Sequence, residues 1–165
     1  MSKTIITKDL ANKKLHIVRE FNASLEFVWK AWTDSSILDQ WWAPKPWKAA
    51  TKAMDFREGG YWLYCMNGPD GEQHWARADY QRIVPQDAFE VRDSFCDENG
   101  IVNYDIPGMH WLVKFIRIGE TTKVEVEVTF ASVDDLEKIV EMGFQEGFTA
   151  AHENLDELLK ELISN

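Results

Sequence analysis

The stretch TTKVEVEVTFASVDDLEKIVEMGFQEGFTAAHENLDELLKEL, residues 121–162, carries two periodicities in succession. Val124, Val126, Val128 and Phe130 alternate with Lys123, Glu125, Glu127 and Thr129. That is a strand with one covered and one wetted face, as in an antiparallel sheet. From Val133 the period lengthens, and Leu136, Val140, Phe144, Phe148, Leu155 and Leu159 fall on one helical stripe. Ser132, with Asp135 three residues later, forms a capping box in which Asp replaces the usual Glu. No proline interrupts the run, so the pattern predicts one long helix, loosened at Gly143 and Gly147.

Upstream the chain reads as strands separated by turns. Gly59-Gly60, Asn67 to Gly71, Val84 to Asp87, Asp97 to Gly100 and Gly119-Glu120 are hairpin punctuation. Between them lie strand-length segments at 61–66, 73–83, 88–95 and 109–118. Lys14–Phe21 alternates at Leu15 and Ile17 and adds an N-terminal strand. Ser24 caps a helix carrying Leu25, Val28, Trp29 and Trp32, and Thr33-Asp34 caps a second bearing Ile37, Leu38, Trp41 and Trp42. Pro44 and Pro46 end it. The expected fold is α+β: a curved antiparallel sheet of six to seven strands around a long C-terminal helix, in one domain over 1–165.

Composition narrows the function classes. The 165 residues hold 18 Lys or Arg against 28 Asp or Glu, a net charge of −10. Residues 134–165 contain nine acids and two lysines, a net of −7, so most of the acidity is one helix's solvent face. A chain this acidic lacks the basic face that nucleic-acid binding needs. It has no apolar run long enough for a membrane span, and Met1 to Lys8 has no signal core, so a cytoplasmic protein is expected. Cys65 and Cys96 lack CxxC spacing and are read as inert sheet thiols. The aromatics are the unusual feature: eight Trp, nine Phe and four Tyr. So many indoles are hard to bury in a core this size unless each N–H finds a partner.

A sheet that grips a helix without complete contact leaves a pocket between them. Strand parity nominates its wall: Met54 with Phe56, then Trp62 with Tyr64 and Met66. Trp111 belongs to the row continued by Val113 and Phe115, and Phe95 shares the parity of Phe89 and Val91. On the helix, Phe148 and His152 fall on or beside the inward stripe, with Gln145 on the same side. His152, and after it Gln145 and His74, supply directional hydrogen bonds in this reading. For each wall residue, ordinary core packing is the competing reading; the pocket rests on the set.

Several blocks resemble a known family. Arg19-Glu-Phe21, Val28-Trp29-Lys-Ala-Trp32-Thr-Asp34 and Gln40-Trp41-Trp42-Ala-Pro44 are similar to the opening signature of the bacterial AHSA1-like family, named for a domain of the activator of the Hsp90 ATPase. Met54 to Gly60, Asn67 to Gly71, Ile83-Val-Pro85 and Met142 to Phe148 resemble its later blocks, in order, although Phe148 stands where the family usually has Trp. The resemblance implies the helix-grip fold of the START/Bet v 1-like (SRPBCC) superfamily and an apolar cavity, with Trp41 and Trp42 at its mouth. It brings no single catalytic motif. His152 stands where the family more usually has an apolar or small residue.

Zinc spacings such as HExxH are absent, as are GxSxG, Walker and GxGxxG patterns, so no metal, cofactor or catalytic residue is assigned. Asp87, Glu90 and Asp93 read as outer-face acids, and Arg77 as a side chain reaching the rim. The leading expectation is a binder of an apolar or aromatic small molecule, lipid-like or polycyclic, as a monomer or homodimer. An Hsp90-homologue interaction module is the alternative, distinguished by a salt-resistant pull-down. An enzyme of cyclase or hydrolase type using His152 ranks third.

Overall fold

Three helices begin where the sequence supplies a side-chain acceptor. Ser24 Oγ accepts from the Phe27 amide at 3.3 Å, Asp34 Oδ1 from Ser36 at 2.9 Å, and Ser132 Oγ from Asp135 at 3.1 Å. In the computed structural model, residues 3–164 are described; Met1, Ser2 and Asn165, at the ends of the expected 1–165 unit, lie outside them. The elements run β1 (Ile5–Asp9), β2 (Lys14–Phe21), α1 (Leu25–Thr33), α2 (Ser35–Trp41), β3 (Lys48–Met54), β4 (Tyr61–Asn67) and β5 (Gln73–Val84). They continue with β6 (Ala88–Cys96), β7 (Met109–Ile118), β8 (Thr121–Thr129), α3 (Val133–Glu141) and α4 (Phe144–Ser164).

The strands form one antiparallel sheet in the order β1-β2-β8-β7-β6-β5-β4-β3. Consecutive hairpins build β3 to β8, while α1 and α2 carry the chain from β2, near one edge, to β3 at the other. Register breaks between Thr51 and Ala53 and between Tyr80 and Arg82 bend the sheet. Its concave face presents Val124, Val126 and Val128 from β8 and Trp111, Val113 and Phe115 from β7, all buried. The sheet has eight strands, more than expected. The extra one is β1, whose short polar sequence lacks alternation and whose Ile5 is exposed; pairing with β2 makes it a strand.

The C-terminal helix is not continuous. Met142 and Gly143 separate α3 from α4. Gly143 sits at φ +94°, and nothing lies within 4 Å of where its Cβ would be. Backbone conformation, not space, calls for glycine there. Gly147 is helical, and a Cβ on it would meet only Pro44 Cγ at 3.8 Å. Gly143→Ala is therefore expected to cost about 1–2 kcal/mol. Gly147→Ala is expected to gain up to about 1 kcal/mol. Urea midpoints should move in opposite directions; a shift of the same sign for both would contradict the break.

Candidate functional site

The helix break opens the site. Phe144 and Phe148 descend from α4 onto the sheet, with ring centroids 5.8 and 5.3 Å from Trp111. Beside them, at the end of α2, Trp42 stands 5.8 Å from Phe148 and 5.9 Å from Trp111. Between these rings and the inner face of β4 to β7 lies a cavity of about 400 Å³. That is within the range of small-molecule sites. Ile139 and Met142 bound it from α3, and Met66, Ala76 and Phe95 from the sheet. Trp47 and His74, with rings 5.3 Å apart, stand on its wall near solvent. A second void of about 30 Å³ lies deeper, bounded by Trp32, Trp62, Tyr80 and Val91. Trp42, Tyr64, Asp93 and Trp111 face both spaces.

The indoles divide by hydrogen bonding. Trp41 Nε1 donates to the Ala31 carbonyl at 3.0 Å, and Trp62 Nε1 to Thr51 Oγ1 at 2.9 Å. Trp42 Nε1 donates to the Tyr64 hydroxyl at 3.1 Å. Trp32 Nε1 and Trp111 Nε1 are buried with no hydrogen-bond partner among the described residues.

Asp93 is the one carboxyl on the lining, and the expectation that it points outward is corrected. It lies on the inward row of β6, opposite Met109, and its Oδ1 is sealed with no hydrogen-bond partner among the described residues. Burial pushes its pKa up to about 7; the charge of Asp79 adds to the shift and a hydrogen bond from the Ser94 backbone opposes it. Burial also raises the Tyr64 hydroxyl well above its usual range. Among the described residues that bound the two spaces, none is Lys or Arg. Arg77, expected at the rim, instead holds Asp79 through two hydrogen bonds of 3.1 and 2.7 Å and donates to the Gly100 carbonyl.

Of the residues nominated for the pocket, Tyr64, Met66, His74, Phe95, Trp111 and Phe148 lie on the cavity wall. Trp62 borders only the small inner void. Trp41 does not reach the cavity: it is fully buried, and its neighbour Trp42 takes the wall position. Phe56 packs off the lining, 4.8 Å from Tyr80 and 6.0 Å from Trp29; Met54 and Gln145 are also off it. His152 is likewise away from it.

His152 belongs to a separate buried polar group. It is ringed by Phe21, Trp32 and Phe148, and its Nδ1 lies 2.9 Å from Thr4 Oγ1. Thr4 Oγ1 accepts from Arg19 Nη1 at 2.9 Å and shares its hydrogen bond with His152 Nδ1, where either atom can be the donor. His152 Nε2 has no partner among the described residues. Burial, aided by the Arg19 charge, lowers the His152 pKa to about 3. Arg19, 4% exposed, is ion-paired with Asp156 of α4. Among the described residues no three His, Cys, Asp or Glu side chains converge into a metal-ligating group, and no helix is long and apolar enough to cross a membrane.

Comparison with known proteins agrees with this architecture. The family model described as activator of Hsp90 ATPase homolog 1-like protein matches residues 22–160. The solution structure of a protein from Arthrobacter aurescens is 33% identical, with a TM-score of 0.90, covering 95% of this chain and 91% of that one. The crystal structure of protein Ms6760 from Mycobacterium smegmatis is 30% identical, with a TM-score of 0.88, covering 94% and 96%. The AHSA1 protein from Silicibacter pomeroyi, 17% identical with a TM-score of 0.71 over 89% and 97%, shares the fold. No functionally curated protein matches the sequence.

Proposed function

This chain belongs to the activator of Hsp90 ATPase homolog 1-like family, and from that premise we propose that it binds an apolar, aromatic small molecule in the cavity between its sheet and its two C-terminal helices. The observation that carries the reading is the cavity itself, about 400 Å³ walled mainly by aromatic and apolar side chains. Trp42, Tyr64, Met66, Phe95, Trp111 and Phe148 are its proposed contacts. Burial of apolar area drives binding, at roughly 25 cal/mol per Å² before ordering costs. Flat rings suit walls whose own rings meet edge to face. His74 and Tyr64 add polar contacts in this proposal.

The test is a titration with Nile red, a neutral lipophilic fluorophore, against the wild type and Ala76→Phe. Ala76 is nearly buried on the cavity wall, so the added ring fills space instead of opening it. The wild type is expected to bind the dye saturably. The variant is expected to lose at least about tenfold in affinity, near 1.4 kcal/mol, while its melting temperature holds or rises. Saturable binding of equal strength to both would contradict the assignment of the site. An interaction with an Hsp90 homologue rests on the family description alone and is ranked below this reading.

A further inference from the structure

Asp93 gives the cavity a chemical preference. Its carboxyl lies where the outer cavity meets the inner void, with Oδ1 sealed and unpartnered among the described residues. The groups coupled to it do not compensate it: Tyr64 on β4 and Cys96 at the end of β6 are neutral when protonated, and Asp79 on β5 is another acid. His74, the imidazole on the wall, is exposed and four residues along β5 from Ala78, the residue opposite Asp93. The side chains that α3 and α4 place on the lining are apolar, and the 42–47 segment adds two indoles and a proline. A carboxylate enclosed this way lacks a countercharge, and an unpaired buried charge is costly. The surrounding rings, Trp42, Tyr64, Trp111 and Phe148, are aromatic, and a π face attracts a cation. The chain's net charge of −10 also favours the approach of cations over anions.

We infer that the preferred ligand is a lipophilic amine, its protonated nitrogen paired with Asp93 and its aromatic body held among Trp42, Trp111, Phe144 and Phe148. This rests on the reading of the cavity as a ligand site. The ammonium supplies the missing countercharge and donates hydrogen bonds to the carboxylate. Carboxylic acids of the same shape are disfavoured, because their charge would meet Asp93 with no Lys or Arg among the described residues of the wall. A neutral alcohol falls between the two.

Three probes with one body separate these outcomes: 2-naphthylmethylamine, 2-naphthylmethanol and 2-naphthoate, titrated calorimetrically into the wild type and Asp93→Asn. The wild type is expected to bind the amine about tenfold or more tightly than the alcohol, the carboxylate weakest. Asp93→Asn should erase the preference for the amine and leave alcohol binding within a few-fold. A second readout needs no variant. Amine binding to the wild type near pH 7 should release protons as Asp93 ionises, detected as a dependence of the heat on buffer ionisation enthalpy. The alcohol should release none. Equal binding of all three probes, or tightest binding of the carboxylate, would overturn the amine assignment and leave the ligand site standing. Binding of none of them would overturn the ligand-site reading itself.

Discussion

Asp156→Ala is expected to destabilise the protein by about 3 kcal/mol, near the lower end of the range for breaking a buried ion pair. The asymmetry of the pair sets the effect. Arg19 is 4% exposed, whereas the Asp156 side chain keeps 27% of its surface. Among the described residues, removing Asp156 leaves a guanidinium in the core with Thr4 as its one side-chain acceptor and its Nε unpartnered. Arg19→Met removes the charge and keeps most of the stem's packing, so its cost should be smaller. The double variant should then be no less stable than Asp156→Ala alone, since the charge that lost its partner is gone. Urea unfolding of the four proteins measures this as a coupling energy. Additive single effects would contradict the pairing. Because neither residue lines the cavity, Nile red binding by folded protein should be unchanged.

The second large effect concerns pH. His152 has a native pKa of about 3 against 6.5 for a free imidazole. Between those values the unfolded chain binds a proton that the native state does not, so stability falls as pH falls. Asp93 behaves oppositely. Its native pKa is about 7 against 3.8 for a free carboxyl. Between those values the native state keeps a proton that the unfolded chain has lost, so stability falls as pH rises. The windows overlap from about pH 4 to pH 6.5, where each group contributes a slope of up to about 1.4 kcal/mol per pH unit, of opposite sign. In the wild type the two slopes largely cancel. Subtracting the wild-type curve from that of Asp93→Asn should leave a difference that rises with pH across the overlap. The difference for His152→Gln, whose side-chain amide can accept from Thr4 or donate to it, should fall. Flat difference curves would contradict the burial of both groups.

What the sequence revealed, and what it hid, follows from how far each cause reaches along the chain. Ser24, Asp34 and Ser132 were legible as caps because acceptor and amide lie within three residues. Trp62, Tyr64 and Trp111 were legible as inward-facing because strand parity is local. Trp41 and Trp42 are adjacent at the end of a short helix, where periodicity does not decide which reaches the sheet. Arg19 stands on the buried parity of Leu15, Ile17 and Phe21, but its partner is 137 residues away. Asp93 occupies the row of Phe89, Val91 and Phe95, and that parity could have placed it inside. The ordinary exposure of carboxylates outweighed the pattern, and the exception marks the site. His152 falls on the inward stripe, but that stripe serves two places: Phe144 and Phe148 meet the cavity, and the next turn meets Thr4 and Phe21 of β2.

The central claim, that this cavity receives an aromatic small molecule, is tested most directly by the indole N–H resonances of the eight tryptophans. In a protein labelled with nitrogen-15 and assigned through Trp→Phe variants, 2-naphthylmethanol is added until shifts saturate. Trp42, Trp47 and Trp111, which line the cavity, should move with one shared dissociation constant. Trp75, beside Lys52, and Trp29, packed among Phe56, Phe89 and Phe115, should stay in place. Shifts centred on Trp75 or Trp29, or a lack of saturation at Trp42 and Trp111, would contradict the account.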